Sequence, residues 1–253
     1  MTNRIPLKHP RYLSLKTREK LVDGLKRGLV VTHGLIAHGR GEAFDYLLGE
    51  HTSQNALCAE KVASCLLLIS KTPVISVNGN TAALCSKEIV KLSKLTNASI
   101  EVNLFHQNQK RSEVIANTLI KDGANEVLGV DSKSKFAMKE LSSGRRFVDK
   151  NGIFNADTVF LAIEDGDRTE GLTSLGKTVI SVDLNPLSRT AQSSHVTIVD
   201  NIIRAIPNMI DFATRFAKKE ISELSALVSE FDNKRNLVQS TKLIRHGLQN
   251  VVK

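Results

Sequence analysis

The spacing of apolar residues changes once along the chain, near residue 72. Before that point it is mainly helical, and regularly spaced leucines predict a basic helix over residues 10–26. The stretch 32–50, THGLIAHGRGEAFDYLLGE, is rich in glycine and is expected to form a turn. Residues 54–71 are rich in alanine and leucine, which predicts a helix buried on more than one side.

After residue 72, β-branched runs alternate with helical segments. The runs that predict strands are TPVISVN, SIEVNLF, NEVLGV, ADTVFLAI, KTVISVDLN and HVTIVDN. Strands that alternate with helices of one to four turns indicate βαβ units. We therefore expect an α/β fold, in which a mostly parallel sheet is flanked by helices. In such sheets ligands bind beyond the carboxyl ends of the strands.

Two further regions lie outside this alternation. Residues 130–152 are the most loop-like stretch of the chain. From Ile221 onward the chain is charged and punctuated by leucine and valine, which predicts one or two amphipathic helices. We expect these helices to dock on the core or on a partner subunit.

Length and composition narrow the class of protein. A chain of 253 residues that is 41% hydrophobic can bury a sizeable core, as one large domain or a domain with a smaller appendage. The N-terminus lacks the apolar segment of a signal peptide, and no run approaches the roughly 20 apolar residues that span a bilayer. We expect no membrane partner and a cytoplasmic location. Cys58, Cys65 and Cys85 form no CxxC pair and are predicted to be reduced core thiols.

The net charge of +9 suggests an anionic ligand. Eight basic residues against two acidic ones fall within the first 28 positions. Nucleic acid is one candidate, and a phosphorylated metabolite together with a nucleotide is another. Only 4% of the residues are aromatic and there is no tryptophan, so the stacking platforms typical of nucleic-acid binding are not expected.

Polar residues collect at the ends of four predicted strands. The four groups are Asn78-Gly79-Asn80, residues 164–168 (EDGDR), Asp183-Leu184-Asn185 with Ser188-Arg189-Thr190, and Asp200-Asn201. Each alone is an ordinary βα turn. Four on one edge of a sheet predict a ligand site, with carboxylates for Mg²⁺ or an amine and guanidinium groups for phosphate.

Common cofactor motifs are absent. HGRGEAF begins like the dinucleotide fingerprint GxGxxG, with Gly39 and Gly41, but Phe44 occupies the third glycine position. There is no P-loop, and His33 and His38 have no further histidine or cysteine to complete a metal site. An NAD(P)-dependent oxidoreductase with a divergent Rossmann fold stays as the alternative.

Several long blocks of the sequence resemble one known family. They are IPLKHPRYLSLKTREKLVDGLKRGLV, GLIAHGRGEAFDYLLGE, PVISVNGNTAAL, IEVNLF, VLGV, EDGDRTE and DLNPLSRTAQSSHVTIVDNIIRAIPN. In this order they resemble the archaeal-type phosphopantothenate synthetases, also called 4-phosphopantoate:β-alanine ligases. The resemblance runs to about residue 217 and weakens at 131–152 and in the tail after about 218.

The resemblance implies a fold, a reaction and a domain division. It implies a Rossmann-like homodimer in which ATP and Mg²⁺ drive amide formation between 4-phosphopantoate and β-alanine, giving 4'-phosphopantothenate, AMP and pyrophosphate for coenzyme A biosynthesis. It leaves an acyl-adenylate and an acyl-phosphate intermediate open. It divides the chain into a single ligase domain over residues 1–217, helical over 1–71 and Rossmann-like over 72–217, and a helical extension over 218–253.

The resemblance also implies site residues. It places the nucleotide against Arg18, Arg40, Asp183, Leu184, Asn185, Arg189, Thr190, Asn201 and Ile202. Of these, Arg40 and Arg189 are expected to stabilise charge on the phosphoryl oxygens.

For the second substrate we expect contacts from Asn78, Gly79, Asn80, Arg111 and Arg168. His38 is a candidate base for the β-alanine amine, and the sequence favours a capping or packing role over this one. Glu42, Asp165 or Asp167 are candidates to orient that amine or Mg²⁺, and the sequence does not identify the metal ligands.

Overall fold

The computed structural model describes residues 5–106, 108–138 and 144–251. Within these ranges the helices are α1 (Tyr12–Lys26), α2 (Thr32–Leu48), α3 (Gln54–Ile69), α4 (Gly79–Thr96), α5 (Gln109–Lys121), α6 (Gly166–Ser174), α7 (Arg189–Ser193), α8 (Ile202–Phe216), α9 (Ile221–Ser229) and α10 (Asn233–Val251). The strands are β1 (Pro73–Val77), β2 (Ser99–Val102), β3 (Lys135–Ala137), β4 (Phe147–Asp149), β5 (Thr158–Ala162), β6 (Thr178–Val182) and β7 (Val196–Ile198).

Five strands form one parallel sheet in the order β2-β1-β5-β6-β7. Ile75 at its centre is paired with Ile100 on one side and Phe160 on the other. Every residue of β1 and β5 is buried, because helices or loops cover both faces of the sheet. This explains why the strands read as unbroken β-branched runs, and the predicted α/β class is confirmed.

The two faces of the sheet carry separate cores. The larger core joins α3, α4, α5 and α8 to one face, with Ile89, Ile115 and Met209 wholly buried within it. The smaller core lies on the other face, where Leu172 of α6 and Val148 of β4 pack against Val159. The sheet is therefore the middle layer of a three-layer α/β structure.

The strand order reverses at the centre of the sheet. The chain steps from β1 outward to β2, returns to β5 beside β1, and then steps the other way through β6 to β7. The helices that follow β1 and β5 therefore lie on opposite sides of a crevice at the carboxyl ends of these two strands. Such a switch point is where open α/β sheets bind their ligands.

The glycine-rich segment is a helix, and the prediction of a turn over residues 32–50 was wrong. Gly34 lies where a Cβ would come 2.4 Å from Asn80 Oδ1, so this glycine serves a close helix contact. The helix α2 ends only at Gly49, whose φ of 94° is left-handed. The glycine content of this segment predicted a turn, but helix packing overrides the weak helix propensity of glycine.

The predicted strand NEVLGV is reduced to a single bridge between Leu128 and Glu101, so that strand prediction was wrong. The loop-like stretch after it contains the antiparallel hairpin β3–β4. The buried Glu101 carboxylate fastens this region to the sheet, since it accepts hydrogen bonds from the backbone N–H groups of Asp149 (3.1 Å) and Ile153 (2.7 Å). The segment after α5 is thus held to the sheet by the backbone bonds of Leu128 and by the Glu101 side chain.

Both tail helices dock on the body of the protein. The helix α9 packs on α3, and α10 packs on α2, α3, α7 and β7. Asn233 Oδ1 accepts from the N–H of Thr197, and its Nδ2 donates to the carbonyls of Ala191 and Ser194. Asn236 donates to the carbonyl of Thr197. These bonds satisfy backbone groups along the outer edge of β7, so the tail covers that edge of the sheet.

Two smaller sequence predictions have mixed outcomes. Cys65 and Cys85 are buried as expected, but Cys58 is exposed, so the prediction that it is a core thiol was wrong. Burial raises the pKa of the Cys65 thiol to about 11, which makes it unreactive. No helix within the described ranges is long and apolar enough to cross a membrane.

Candidate active site

A cavity of about 590 Å³ opens at the switch point of the sheet. Its floor is formed by the segments that follow β1, β5, β6 and β7, and its walls come from α2, α5 and the loop after β2. Of the predicted site residues, it is lined by His38, Arg40, Asn78, Gly79, Asn80, Arg111, Asp183, Leu184, Asn185, Arg189, Thr190, Asn201 and Ile202. All four polar strand ends therefore meet in one space.

Four of the candidate residues do not line this cavity, namely Arg18, Arg168 and the carboxylates Glu42 and Asp167. Arg18 is exposed on α1, where its guanidinium pairs with Glu42 at 2.9 Å. Arg168 is 1% exposed and lies beneath the cavity floor. Its Nη1 donates to Glu164 at 2.6 Å and its Nη2 to Ser76 at 3.1 Å. Arg168 therefore supports the floor, and the predicted direct contact with substrate does not fit this position.

The loop after β6 is built around Asp183. This carboxylate accepts from the N–H of Asn185 at 2.9 Å and from the hydroxyl of Ser188, which itself caps α7. Burial raises the pKa of Asp183, while Ser188, Asn185 and Arg40 oppose that shift. The loop is held open toward the cavity, with Leu184 and Thr190 on its wall.

The end of β7 is held by a buried ionic network. Asn201 caps α8 and donates from Nδ2 to Asp45 at 2.8 Å. Arg204 donates to both Asp45 and Asp200, each at 2.5 Å. Thr52 also donates to Asp200 at 2.6 Å. These buried hydrogen bonds and ion pairs therefore hold in place the backbone of Asn201 and Ile202, which line the cavity.

The turn after β1 is fixed by its own side chains. Asn78 Oδ1 caps α4 by accepting from the N–H of Thr81, and its Nδ2 donates to the carbonyl of Ala162 at 2.8 Å. Asn80 Nδ2 donates to the carbonyl of Gly34 at 2.8 Å. Since these amides are already engaged, this turn offers a ligand mainly its backbone N–H groups at the start of a helix.

The end of β5 presents a cation that the sequence did not reveal. Arg145, from the segment before β4, lines the cavity beside Glu164 and donates to its carboxylate. Burial raises the pKa of Glu164, and the guanidinium groups of Arg145 and Arg168 oppose that shift. Arg145 lies in the loop-like stretch, where the basic pair Arg145-Arg146 was the only sequence feature that could have suggested a ligand-binding role. The folding of the chain, and not a local sequence pattern, brings it next to the end of β5.

Arg111 is the second cation at this end of the cavity. It lies in the first turn of α5, and burial lowers the pKa of its guanidinium. Within the described ranges Arg111 makes no ion pair, and its Nε has no hydrogen-bond partner. His33 and His106 line the same end, with ring centroids 6.0 Å apart. A half-buried guanidinium without a carboxylate favours an anionic ligand group.

Arg189 and Arg40 stand at the opposite end. Arg189 is exposed and is engaged by two carboxylates, Asp167 at 2.7 Å and Glu170 at 2.6 Å. The hydrogen bonds that it donates to Glu170 and Asp167 raise the pKa of its guanidinium. Arg40 is exposed on α2 and forms no ion pair with any described residue. Arg40 therefore has no ion-pair partner among the described residues. Arg189 must release Asp167 or Glu170 before its guanidinium can bind a ligand.

His38 lies on α2 at the wall of the cavity. Burial lowers the pKa of its imidazole, and the carboxylates of Glu42 and Asp45 only partly offset this. Its Nε2 is buried and has no hydrogen-bond partner among the described residues. A neutral imidazole with an unengaged nitrogen is chemically able to accept a proton.

A dedicated metal centre is not found in the described ranges of the chain, where no three His, Cys, Asp or Glu side chains converge. A Mg²⁺ ion that arrives with a nucleotide needs only one or two carboxylates, because phosphate and water supply its other ligands. Asp165 lines the cavity. Its Oδ1 caps α6 and its Oδ2 pairs with Arg145 Nε at 3.2 Å, so a cation bound at Asp165 would share this carboxylate with a guanidinium.

Fold and site together define a class of protein. The molecule is a parallel α/β protein with a cavity at the switch point of its sheet, lined by apolar side chains together with basic and hydrogen-bonding groups. The family model for phosphopantothenate/pantothenate synthetase matches residues 55–247. The chain belongs to this family and is an enzyme of the ligase class.

Relatives match over almost the whole chain. The 4-phosphopantoate–β-alanine ligase of Methanosarcina mazei is 49% identical over 97% of this chain and 96% of its own length. The enzyme of the same name from Thermococcus kodakarensis is 47% identical over 96% and 93%. That from Methanospirillum hungatei is 46% identical over 98% and 99%. The oxidoreductase alternative finds no support in these matches.

The similarity also extends further along the chain than the sequence blocks suggested. An alignment over 97% of the chain cannot omit the 218–253 segment, and the family match continues to residue 247. The expectation that the resemblance runs only to about residue 217 was therefore wrong. The amphipathic tail has few residues of distinctive chemistry, which is why its relationship was not visible by inspection.

Proposed function

We propose that this enzyme joins 4-phosphopantoate to β-alanine with consumption of ATP, and that it releases 4'-phosphopantothenate, AMP and pyrophosphate. The observation that carries the proposal is the presence of two chemically different ends in one cavity. One end has the hydrogen-bonding loop 183–190, and the other has the cations Arg111 and Arg145. The names of the full-length relatives support it.

The nucleotide binds, in this proposal, at the ends of β6 and β7. Asp183 and Asn185 suit the ribose or base, and the apolar walls of Leu184, Ile202 and Phe44 suit the flat purine. The triphosphate then extends toward Arg40 and Arg189. Arg18, beyond the cavity wall, stays a predicted phosphate contact that requires its release from Glu42.

The phosphorylated acid binds at the ends of β1 and β5. Its phosphate faces Arg111 and Arg145, and the backbone N–H groups at the starts of α4 and α6 add to the favourable potential. Arg168 contributes from below, because it holds the Glu164 that orients Arg145. The carboxylate of the same substrate is thereby directed along the cavity toward the nucleotide.

The chemistry follows from this arrangement of charges. A carboxylate does not react with an amine at neutral pH, so it must first be activated. We propose that its oxygen attacks the α-phosphorus, that the bond to pyrophosphate breaks, and that an acyl-adenylate forms. Arg40 and Arg189 stabilise the negative charge on the phosphoryl oxygens. An acyl-phosphate route would release ADP and phosphate instead.

The second step needs a neutral amine. The nitrogen of β-alanine attacks the acyl carbon, the bond to AMP breaks, and the ammonium proton must pass to a base. His38 is that base in this proposal, since its imidazole is neutral and its Nε2 is unengaged among the described residues. Asp165 is the carboxylate that orients the ammonium in this proposal, because it lines the cavity, where it is shared with Arg145, whereas Asp167 and Glu42 lie outside it.

Mg²⁺ bound with ATP would be held by its phosphates and by Asp165, and it would withdraw charge from the leaving pyrophosphate. This assigns Asp165 to either the metal or the ammonium. Asp165→Asn therefore distinguishes the two. A raised Mg²⁺ requirement would indicate the metal, and a raised KM for β-alanine alone would indicate the amine.

We also propose that the enzyme is a homodimer that uses the outer faces of α1 and α2. Leu13 on α1, and Ile36, Tyr46 and Leu47 on α2, are exposed apolar side chains on two adjoining helices. Apolar surface of this kind marks association sites. Light scattering should give twice the mass of 27.8 kDa, and Ile36→Asp should lower it.

The decisive test is an assay with ATP, Mg²⁺, 4-phosphopantoate and β-alanine, in which AMP and pyrophosphate are followed and each substrate is omitted in turn. AMP formed only in the complete mixture supports the ligase and the adenylate route. ADP in its place keeps the ligase and overturns the adenylate. Folded protein without nucleotide turnover overturns the proposed substrates.

A further inference from the structure

Glu60 is a buried titratable group with no role in the mechanism above. It lies in α3 with 0% of its surface exposed. Its Oε2 accepts one hydrogen bond, from Asn208 Nδ2 at 2.9 Å. Its Oε1 has no donor among the described residues. A buried carboxylate with a single neutral donor is a costly arrangement, so the ionised form of Glu60 is poorly solvated here.

The neighbours of Glu60 make its ionisation still less favourable. The carboxyl group of Glu60 lies within hydrogen-bonding reach of Asp200. Asp200 already accepts from the side chains of Thr52 and Arg204 and from the N–H of Asn201 at 2.7 Å. Asp45 is similarly supplied by Arg204 and Asn201. Asp45 and Asp200 thus each accept from several donors, whereas Glu60 accepts from one.

A count of charges leads to the same result. The groups that face this cluster are Asp45 from α2, Thr52 before α3, Asp200 after β7, and Arg204 and Asn208 from α8. Three ionised carboxylates against one guanidinium would leave two uncompensated negative charges in a buried space. Burial, and next the charge of Asp200, raise the pKa of Glu60 to about 9.

We infer that Glu60 holds a proton at neutral pH and acts as a positioning residue for the nucleotide end of the cavity. Its carboxyl O–H donates to Asp200, which in turn accepts from the backbone N–H of Asn201 at the cavity wall. The protonated side chain thereby fixes the turn that carries Asn201 and Ile202. This inference rests on the proposed binding of a nucleotide at that turn.

The inference predicts a specific pH dependence. When Glu60 ionises, two carboxylates face one another without a proton between them, and the turn at Asp200–Asn201 is displaced. Nucleotide affinity should therefore weaken several-fold as the pH rises from 8 to 9.5, since only the minority of molecules with neutral Glu60 keeps the intact turn. Below pH 8 the ionisation of Glu60 should not change the nucleotide affinity.

The test uses Glu60→Gln, because glutamine keeps the shape and the hydrogen-bond donor but never ionises. Dissociation constants of a non-hydrolysable ATP analogue are measured by calorimetry between pH 7 and 9.5. We expect Glu60→Gln to match the wild type at pH 7 and to keep its affinity at pH 9.5, where the wild type weakens. Glu126→Gln, at an exposed loop position, should follow the wild type throughout.

Two results would overturn the inference. One is a Glu60→Gln variant that weakens with pH as the wild type does, and the other is one that binds poorly already at pH 7. An infrared measurement needs neither a nucleotide nor an unchanged affinity. The difference between the spectra of wild type and Glu60→Gln at pH 7 should contain the C=O band of a buried carboxylic acid, because the contribution of Glu101 is common to both and cancels; without this difference band Glu60 is ionised.

The two proposals can fail separately. If the wild type binds the analogue and shows the carboxylic acid band but forms no AMP from the complete substrate mixture, only the proposed reaction is wrong. If AMP forms but the band is missing, only the role of Glu60 is wrong.

Discussion

Arg168 Nη1 donates to Glu164 Oε2 at 2.6 Å, and the side chains of the two residues are 1% and 2% exposed. The same carboxylate also accepts from Arg145, which reaches the cavity. Arg168 therefore acts on a ligand through Glu164 and Arg145, rather than by contact.

The first prediction concerns this buried pair. Arg168→Met should lower the free energy of unfolding by about 3 to 5 kcal/mol, because it leaves the Glu164 carboxylate buried with one cation instead of two. Urea denaturation measures the loss. Arg27→Met removes a comparable but exposed i,i+4 pair with Asp23 and should cost at most about 1 kcal/mol. Equal losses in the two variants would mean that burial adds nothing.

The second prediction concerns Arg111, which has no carboxylate partner among the described residues. Arg111→Gln should raise the KM for the phosphorylated acid by roughly 10- to 100-fold, the value of one charge-assisted hydrogen bond. The KM for ATP should stay within about twofold. Steady-state kinetics with 4-phosphopantoate and with its dephosphorylated analogue provide the measurement, since the variant should discriminate less between them. Lys110→Gln, the exposed neighbour, is the control.

A third prediction follows from the tight turn after β1. A Cβ on Gly79 would lie 2.1 Å from the carbonyl oxygen of Leu29, which is a backbone atom and cannot swing away. Gly79→Ala should therefore displace the turn and severely reduce both activity and thermal stability. Gly39→Ala, within α2, meets nothing within 4 Å and should stabilise the fold by about 0.5 to 1 kcal/mol. Thermal unfolding of the two variants tests the contrast, which disappears if the turn yields.

The fourth prediction is a pH dependence of stability that arises from Glu101. Burial raises the pKa of this carboxyl to about 7 in the folded state, against 4.5 for an unperturbed glutamate. The folded state therefore binds the proton more tightly. This contribution to stability is full below pH 4.5 and is lost as the pH rises to about 7.

Urea unfolding of wild type and Glu101→Gln at pH 5 and pH 8 isolates this effect, because all other groups cancel in the difference. The free energy of unfolding of the wild type, relative to the variant, should fall by about 2 to 3 kcal/mol between the two pH values. A constant difference would show that the Glu101 carboxyl has the same affinity for protons in both states.

Much of the fold was predictable because its strands are buried on both faces. The runs around Ile75, Phe160 and Ile180 read as strands from composition alone, and the polar turns that follow them identify the edge where the cavity forms. The parallel arrangement followed from the alternation with helices. Local sequence patterns were enough to predict an element wherever the local secondary-structure preference agreed with the tertiary packing.

The errors lie where tertiary contacts override local preference. The α2 segment contains glycines that serve helix packing, as Gly34 does against Asn80, so a turn was expected in place of a helix. Arg145 enters the cavity from a loop distant in sequence from the strand end it adjoins. Arg168 is adjacent in sequence to the cavity residues, but the turn of α6 directs it underneath. No rule based on residue spacing could predict that Arg145 lines the cavity whereas Arg168 lies beneath it.

The way the tail covers the sheet has a consequence for biosynthesis. The outer edge of β7 is satisfied by Asn233 and Asn236, which lie in the last helix of the described chain. A ribosome adds residues from the N-terminus, so the sheet and the whole cavity wall are synthesised before that edge can be protected. Until the tail emerges, the nascent sheet exposes a strand able to pair with another chain. Chaperone protection during this interval should govern the yield of the enzyme in a foreign host.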